Sequence, residues 1–344
     1  MRRPLEILFK KAYDRLVSKL CPICVIAIRK VIAASVGGGM EIIMIRSFDE
    51  LKRSVKGSGA RKRAAVAAAH DEHTLQALSA AYTDGITEPI LIGEAEKIKE
   101  IIARLNLPFF NAPIISAGDD AASAREAVAL IREREADFIM KGKLQTADLL
   151  KEVVNKERGL SEGGIMSHVG LFEIPGFHKL VAITDGGMVL YPTLEQKTHI
   201  LENALRTLSR LGYDCPKAAA LCATEVVNPK MQESVDAAEL KKMSEDGRLQ
   251  DCIVEGPISY DLMISCESAE IKGYHSPVTG DADIWLMPNM TCGNILAKAL
   301  MYSAGAKMAG IIVGAKAPIV LVSRGATAEE KYLSLLLSAA VSAG

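Results

Sequence analysis

The chain has 344 residues, with 41 basic against 42 acidic side chains and a formal net charge of -1. That length buries a core without disulfides or metals, and the balanced charge excludes a global field that would favour nucleic acid or an anionic membrane. Seven scattered cysteines form no disulfide framework and point to a reducing, cytoplasmic setting.

At the N-terminus, Arg2, Arg3 and the partly apolar stretch 16–36 superficially suggest a signal or anchor. Lys19, Arg29 and Lys30 interrupt it, so no apolar run of about 18 residues remains for a membrane helix. Cys21-Pro-Ile-Cys24 is half of a zinc or redox pattern without a second pair at ligand spacing. Three glycines, 37–39, precede Met40 and suggest a purine-rich ribosome-binding site read as protein. Residues 1–39 are therefore expected to be an N-terminal extension or an over-called start, and a chain beginning at Met40 is expected to be active.

From Glu41 onward short apolar runs alternate with amphipathic patterns, which predicts parallel strands joined by crossover helices and an α/β fold. Strands are expected at 90–93, 112–116, 138–141, 180–184, 218–222, 252–255, 284–287, 310–313 and 319–323. Helices are expected at 70–82, 121–135, 198–211, 295–304 and 328–341. The basic tract 57–63 lacks interleaved aromatics and reads as a solvated loop, and His70 and His73 read as surface histidines. The glycine-rich turn 159–164 is the expected hinge.

In an open α/β sheet, ligands bind beyond the carboxyl ends of the strands. Three such places carry polar groups. After 138–141 come Lys141, Lys143 and a helix opening near Thr146, which can hold phosphate or merely solvate the rim. After 284–287 comes the loop 288–294, where Gly293 and Asn294 can turn backbone amides toward a ligand. Asp281 and Asp283, just before that strand, suit either a metal or a bracing role. After 319–323 come Ser323 and Arg324 and then a helix whose capping box pairs Thr327 with Glu330. Glu330 is thus a helix cap, a base one turn from an anion site, or both. No G-x-G-x-x-G follows a strand, and 310–316 only distantly echoes a P-loop, so neither a nicotinamide enzyme nor an ATPase is written here.

Together, Met140-Lys-Gly, Ser167-His-Val-Gly-Leu-Phe-Glu-Ile-Pro-Gly176, Thr184-Asp-Gly-Gly-Met188, Gly256-Pro-Ile-Ser-Tyr-Asp261, Ser276-Pro-Val-Thr-Gly-Asp-Ala-Asp283, Gly293-Asn294 and the run 310–324 resemble the phosphate acetyl/butyryltransferase family. The butyryl branch is the nearer likeness. The resemblance implies an isocitrate/isopropylmalate dehydrogenase-like fold of two α/β domains with a cleft between them, 40–160 plus 310–344 and 161–309. It implies exchange of coenzyme A and phosphate on a short acyl group, butyryl or alternatively acetyl. Acyl-CoA, acyl phosphate and inorganic phosphate are then substrates, with no metal or redox cofactor, and the protein is a homo-oligomer built from dimers.

The resemblance assigns Ser323 and Arg324 to the reacting centre and sets Glu330 where the family's proposed base is an Asp. It places substrate-binding roles on Lys141, Thr146, Lys151, Gly293, Asn294 and Lys316. Asn289 and Thr291 stand where the family usually has acidic residues. Two other readings fit the same frame: a non-catalytic acyl-CoA-binding paralogue, and a metal-dependent hydroxyacid dehydrogenase using Asp281 and Asp283.

Overall fold

Apolar runs punctuated by capped helices produce an α/β chain. A computed structural model describes residues 44–109, 111–322 and 325–342. The readings of 1–39, including Cys21 and Cys24, lie outside the described residues. The order begins α1 (Phe48–Gly57), β1 (Lys62–Ala67), α2 (Glu72–Thr83), β2 (Thr87–Gly93), α3 (Ala95–Arg104), β3 (Ile114–Ser116), α4 (Asp120–Arg132), β4 (Phe138–Lys141) and α5 (Thr146–Val153). It continues through β5 (Ser167–Glu173), β6 (Val181–Thr184), α6 (Leu194–Arg210), β7 (Lys217–Leu221), α7 (Gln232–Glu245) and β8 (Ile253–Ile258). The last elements are α8 (Tyr260–Ile264), α9 (Cys266–Lys272), β9 (Ile284–Leu286), α10 (Met290–Ala304), β10 (Lys307–Val313), β11 (Ile319–Val320) and α11 (Ala328–Val341).

The described strands form one eleven-stranded sheet in the order β3-β2-β1-β4-β11-β10-β5-β6-β9-β7-β8. Its flanks are parallel, but β10 runs antiparallel to both β11 and β5, and β5 antiparallel to β6. This corrects the expectation of parallel strands throughout. The chain leaves α10 through a two-residue turn at Gly305 and Ala306, and β10 then pairs along its whole length with β5, from Lys307 opposite Glu173 to Val313 opposite Ser167.

Two strands escaped the sequence pattern. The segment read as a solvated basic loop opens β1: the Arg63 amide donates to Asp137 at 2.6 Å, and Arg61 lies over the Tyr82 ring. The residues that follow, Ala64 to Ala69, are fully buried, so close packing outweighs the poor strand propensity of alanine. α2 begins at Glu72, capped by Asp71, leaving His70 before the helix. His70 is no surface residue, because its Nδ1 is buried and unpartnered among the described residues.

Asp281 and Asp283 hold the amino ends of β6, β7 and β9. Lys179 Nζ lies 2.6 Å from an oxygen of each carboxylate, the one to Asp283 being an ion-pair contact rather than a directed hydrogen bond. Lys217 and His178 also reach Asp281, and Asp283 accepts from the Lys217 amide at 2.7 Å. With lysine nitrogens already on these oxygens, the pair does not fit a divalent metal. Desolvation raises the Asp281 pKa, but hydrogen bonds from Lys179, Lys217 and His178 outweigh it and hold the carboxyl well below its usual range. A depressed carboxylate stabilises the fold above its unfolded pKa of about 4 and loses that contribution as pH falls below it.

Replacing Lys179 with Met leaves Asp283 buried without its cationic partner, and should cost about 3–5 kcal/mol at pH 7. Chemical unfolding across pH checks this: the deficit should shrink as pH falls below about 4, where carboxylates of the unfolded chain take up protons.

Candidate active site

The turn after β6 is organised by one side chain. Asp185 is 2 % exposed, and its carboxylate accepts from the amides of Gly187 (2.7 Å), Met188 (2.8 Å), His168 (3.2 Å) and Val189 (3.3 Å). Four donors on one carboxylate bind this turn to the start of β5, where the Thr184 hydroxyl also donates to the His168 carbonyl.

The first turn of α10 docks onto the other side of this loop. The helix starts at Met290, five residues before the expected 295, with Asn289 as its cap accepting from the Cys292 amide at 3.0 Å. Gly293 therefore lies inside the helix, and its amide is already bonded to the Asn289 carbonyl. The expected ligand-facing amide is corrected: Gly293 is needed for close approach, since a Cβ there would sit 2.4 Å from the Asp185 carbonyl oxygen. Asn294 donates its side-chain amide to the Gly186 carbonyl at 3.2 Å.

Between α10, the strands β10, β5 and β6, and the segment leading into α11 lies a cavity of about 250 Å³. Gly186, Gly187, Gly293 and Asn294 line one end, and Glu330 and Ser334 enter from α11. Glu330 completes the expected capping box, accepting from the Thr327 amide at 2.6 Å while its own amide donates to the Thr327 hydroxyl. The Ser334 hydroxyl donates to the Glu330 carbonyl and accepts from the Gly310 amide, fixing this turn of α11 to β10.

His168 also lines the cavity. Burial pushes its imidazole below the ordinary histidine value, the Asp185 carboxylate pulling the other way, so the ring is neutral at neutral pH. Its Nδ1 is buried and has no hydrogen-bond partner among the described residues.

The structure thus brings Glu330, Gly293 and Asn294 to one cavity. Ser323 and Arg324 lie outside the described residues, although Val322 and Gly325 on either side of them line the cavity. Lys141 ends β4, Thr146 opens α5, and Lys151 is exposed on that helix; none of the three is among the residues lining the cavity. Lys316 is at the far end of β4, in the turn before β11, beside a separate cavity lined by Arg63, Arg132 and Arg134. Sequence reasoning gave no role to Asp185, His168, Lys298 or Ser334. The available signal was a polar Asp-Gly-Gly directly after an apolar strand, and a mid-strand glycine, Gly170, marking close approach.

The family profile described as phosphate acetyl/butaryl transferase matches residues 119–339. A phosphate butyryltransferase of Clostridium acetobutylicum is 41% identical over 298 residues, 87% of this chain and 99% of that protein. A phosphate acetyltransferase of Thermotoga maritima is 42% identical over 292 residues, 85% of this chain and 98% of that protein. Among solved structures, a branched-chain phosphotransacylase from Enterococcus faecalis superposes with a TM-score of 0.73 at 35% identity, over 81% of this chain and 99% of that one.

Substituting Asp185 with Asn removes the charge and puts a donor where donors already converge. The variant should lose about 2–3 kcal/mol of stability, the scale of one or two charge-assisted bonds. Thermal melting checks the loss, and amide exchange should localise it to 184–189 and the first turn of α10.

Proposed function

The chain belongs to the phosphate acetyl/butyryltransferase family, and from that premise we propose that the cavity under α10 is where a short acyl group passes between coenzyme A and phosphate. The observation that carries this assignment is Glu330: a carboxylate in the cavity that Gly293 and Asn294 also line, seven residues after Ser323 and six after Arg324. In the direction of coenzyme A acylation, Glu330 takes the thiol proton as sulfur attacks the acyl carbonyl. The tetrahedral oxyanion is met by Ser323, and the carbon–oxygen bond to phosphate then breaks with Arg324 holding the departing group through two parallel hydrogen bonds.

Lys141, Thr146 and Lys151 are assigned to the phosphates of the substrates, and Gly293 and Asn294 to the wall of the site. The helix-cap and base roles of Glu330 are compatible, since a carboxylate has lone pairs beyond the one that the Thr327 amide uses. Butyryl is proposed as the better substrate and acetyl as the poorer one. The isocitrate dehydrogenase-like arrangement is retained as a proposal, with 40–160 plus 310–344 and 161–309 as its domains. Assembly into a homo-oligomer built from dimers and a cytoplasmic location are likewise proposed.

The test is thiol release from acyl-CoA in phosphate, and its reverse, with acetyl, propionyl, butyryl and branched acyl groups. Turnover with butyryl exceeding acetyl is expected; binding of acyl-CoA with no turnover would leave a non-catalytic paralogue. Ser323→Ala should lower the maximal rate by about two to three orders of magnitude. Arg324→Lys should impair turnover while leaving thermal stability unchanged, because it keeps the charge and loses the fork. Glu330→Gln preserves a capping partner for Thr327 but cannot accept the proton, and should fold, bind coenzyme A and turn over poorly. Near-normal rate in that variant would reduce Glu330 to a cap.

A further inference from the structure

The floor of the cavity has an unusual gap. Along β10 and β5 the same-face cross-strand partners are Ile312 with His168, Gly310 with Gly170, and Met308 with Phe172. Two large pairs therefore flank a pair with no side chains, and two residues of strand span roughly 6.6 Å. Ile183 of β6 lies next to Gly170 in the same row. A Cβ at Gly310 would stand 2.9 Å from His168 Nε2 and 3.0 Å from Met308 Cε. One at Gly170 would stand 2.8 Å from Phe172 Cε2 and 3.3 Å from Met308 Cε. The Met308 methyl is thus folded over the empty pair, between the ring of His168 and the ring of Phe172.

The wall opposite shows the same gradient. Gly293, Ala297 and Met301 recur every four residues along α10, so the cavity changes from the polar Asp185 turn at one end to Phe172, Met301 and Met308 at the other. Gly310 lines the cavity between the two, with Gly170 opposite it on β5. Met308 is unbranched, with three rotatable bonds, and is only partly buried, so its methyl can leave the pair without disturbing β10.

We propose that the Gly170–Gly310 pair is the seat of the acyl chain, and that Met308 is its adjustable end wall, setting the longest acyl group the enzyme accepts. The inference rests on the assignment of this cavity to acyl transfer and adds to it the residues that set acyl length, with a chain of about four carbons, straight or branched, seated on bare backbone. Acetyl reaches only the near edge of the pair, with Met308 folded over the remainder. Butyryl requires the methionine to swing aside.

Two substitutions move the boundary in opposite directions. Gly310→Ala puts a methyl group into the seat, against the side chains of His168 and Met308 rather than against backbone. Met308→Ala removes the wall. Rates of thiol release are measured for acetyl-, butyryl-, isobutyryl- and hexanoyl-CoA with inorganic phosphate, alongside melting temperatures.

One methylene in an apolar pocket changes specificity by about 10- to 200-fold. Gly310→Ala should therefore lower the butyryl-to-acetyl ratio of kcat/KM by about tenfold or more, and Met308→Ala should raise the hexanoyl-to-butyryl ratio by a similar factor. Uniform loss across all acyl groups in both variants, or ratios unchanged in variants that melt normally, would overturn the proposal and leave the acyl-transfer reading intact. If Gly310→Ala fails to fold, the Met308→Ala ratio alone decides. Absence of turnover with every acyl group in the unsubstituted protein would instead remove the acyl-transfer reading, and this inference with it.

Discussion

The Asp185 carboxylate is the contact on which the rest of the site depends. It takes four amide donors, one from β5 and three from the turn after β6, in a position almost closed to water. A buried carboxylate so fully satisfied is rigid, because each lost bond would leave a charge without compensation. The rigidity passes to α10 through Gly293, which rests on the Asp185 carbonyl, and through Asn294, which bonds Gly186. α10 in turn forms the wall of the cavity, and β5 its floor. One side chain therefore registers floor against wall, while the chemistry is assigned to other residues.

The antiparallel pair β10–β5 plays a complementary part. Ligands in parallel α/β sheets collect at the carboxyl edge, where loops face solvent. Here the two parallel flanks meet through strands of opposite sense, so the turns after β6 and β9 and the segment after β11 converge on one cavity over the sheet. The lysine clusters at the ends of β6, β7 and β9 belong to another layer of the design. Lys179 and Lys217 neutralise Asp281 and Asp283, and so secure strand ends that would otherwise carry unpaired charge.

Much of this was legible from residues alone. The strand Phe138–Lys141 and the helix Ala328–Val341 were read with their observed limits, because an apolar run before lysines and a Thr-x-x-Glu cap are unambiguous local signals. β1 was hidden because alanines carry little strand propensity and declare themselves only through burial. β5 was hidden for another reason: His168 and Phe172 line the cavity with Gly170 between them on the same face, so the apolar alternation expected of a packed strand is broken there. The start of α10 was placed late because Thr291, Cys292, Gly293 and Asn294 are weak helix formers, held helical by docking on the Asp185 turn. Glu330 and the Gly293–Asn294 pair read as two separate places in the sequence, whereas the fold lines one cavity with all three, and Gly293 serves close approach rather than amide display. Lys316, given a substrate-binding role by the resemblance, lies instead by the amino end of β4, beside a cavity separate from the one that Glu330 lines.

The sheet order also constrains how the chain is made. β10 and β11 are the last strands to leave the ribosome, yet they occupy the middle of the sheet between β4 and β5. Until they arrive, the β1–β4 flank and the β5–β8 flank each present an unpaired edge, and nothing joins them through backbone pairing. The nascent protein therefore carries two open strand templates from the completion of β5 until β10 arrives, a state that invites edge-to-edge association with other chains. Closing the sheet demands contacts between residues far apart in sequence, such as Ile319 with Ile139 and Lys307 with Glu173, which places the slow, entropically costly step at the end of biosynthesis. A ribosome that stalls before β10 would release two half-sheets rather than a shortened enzyme.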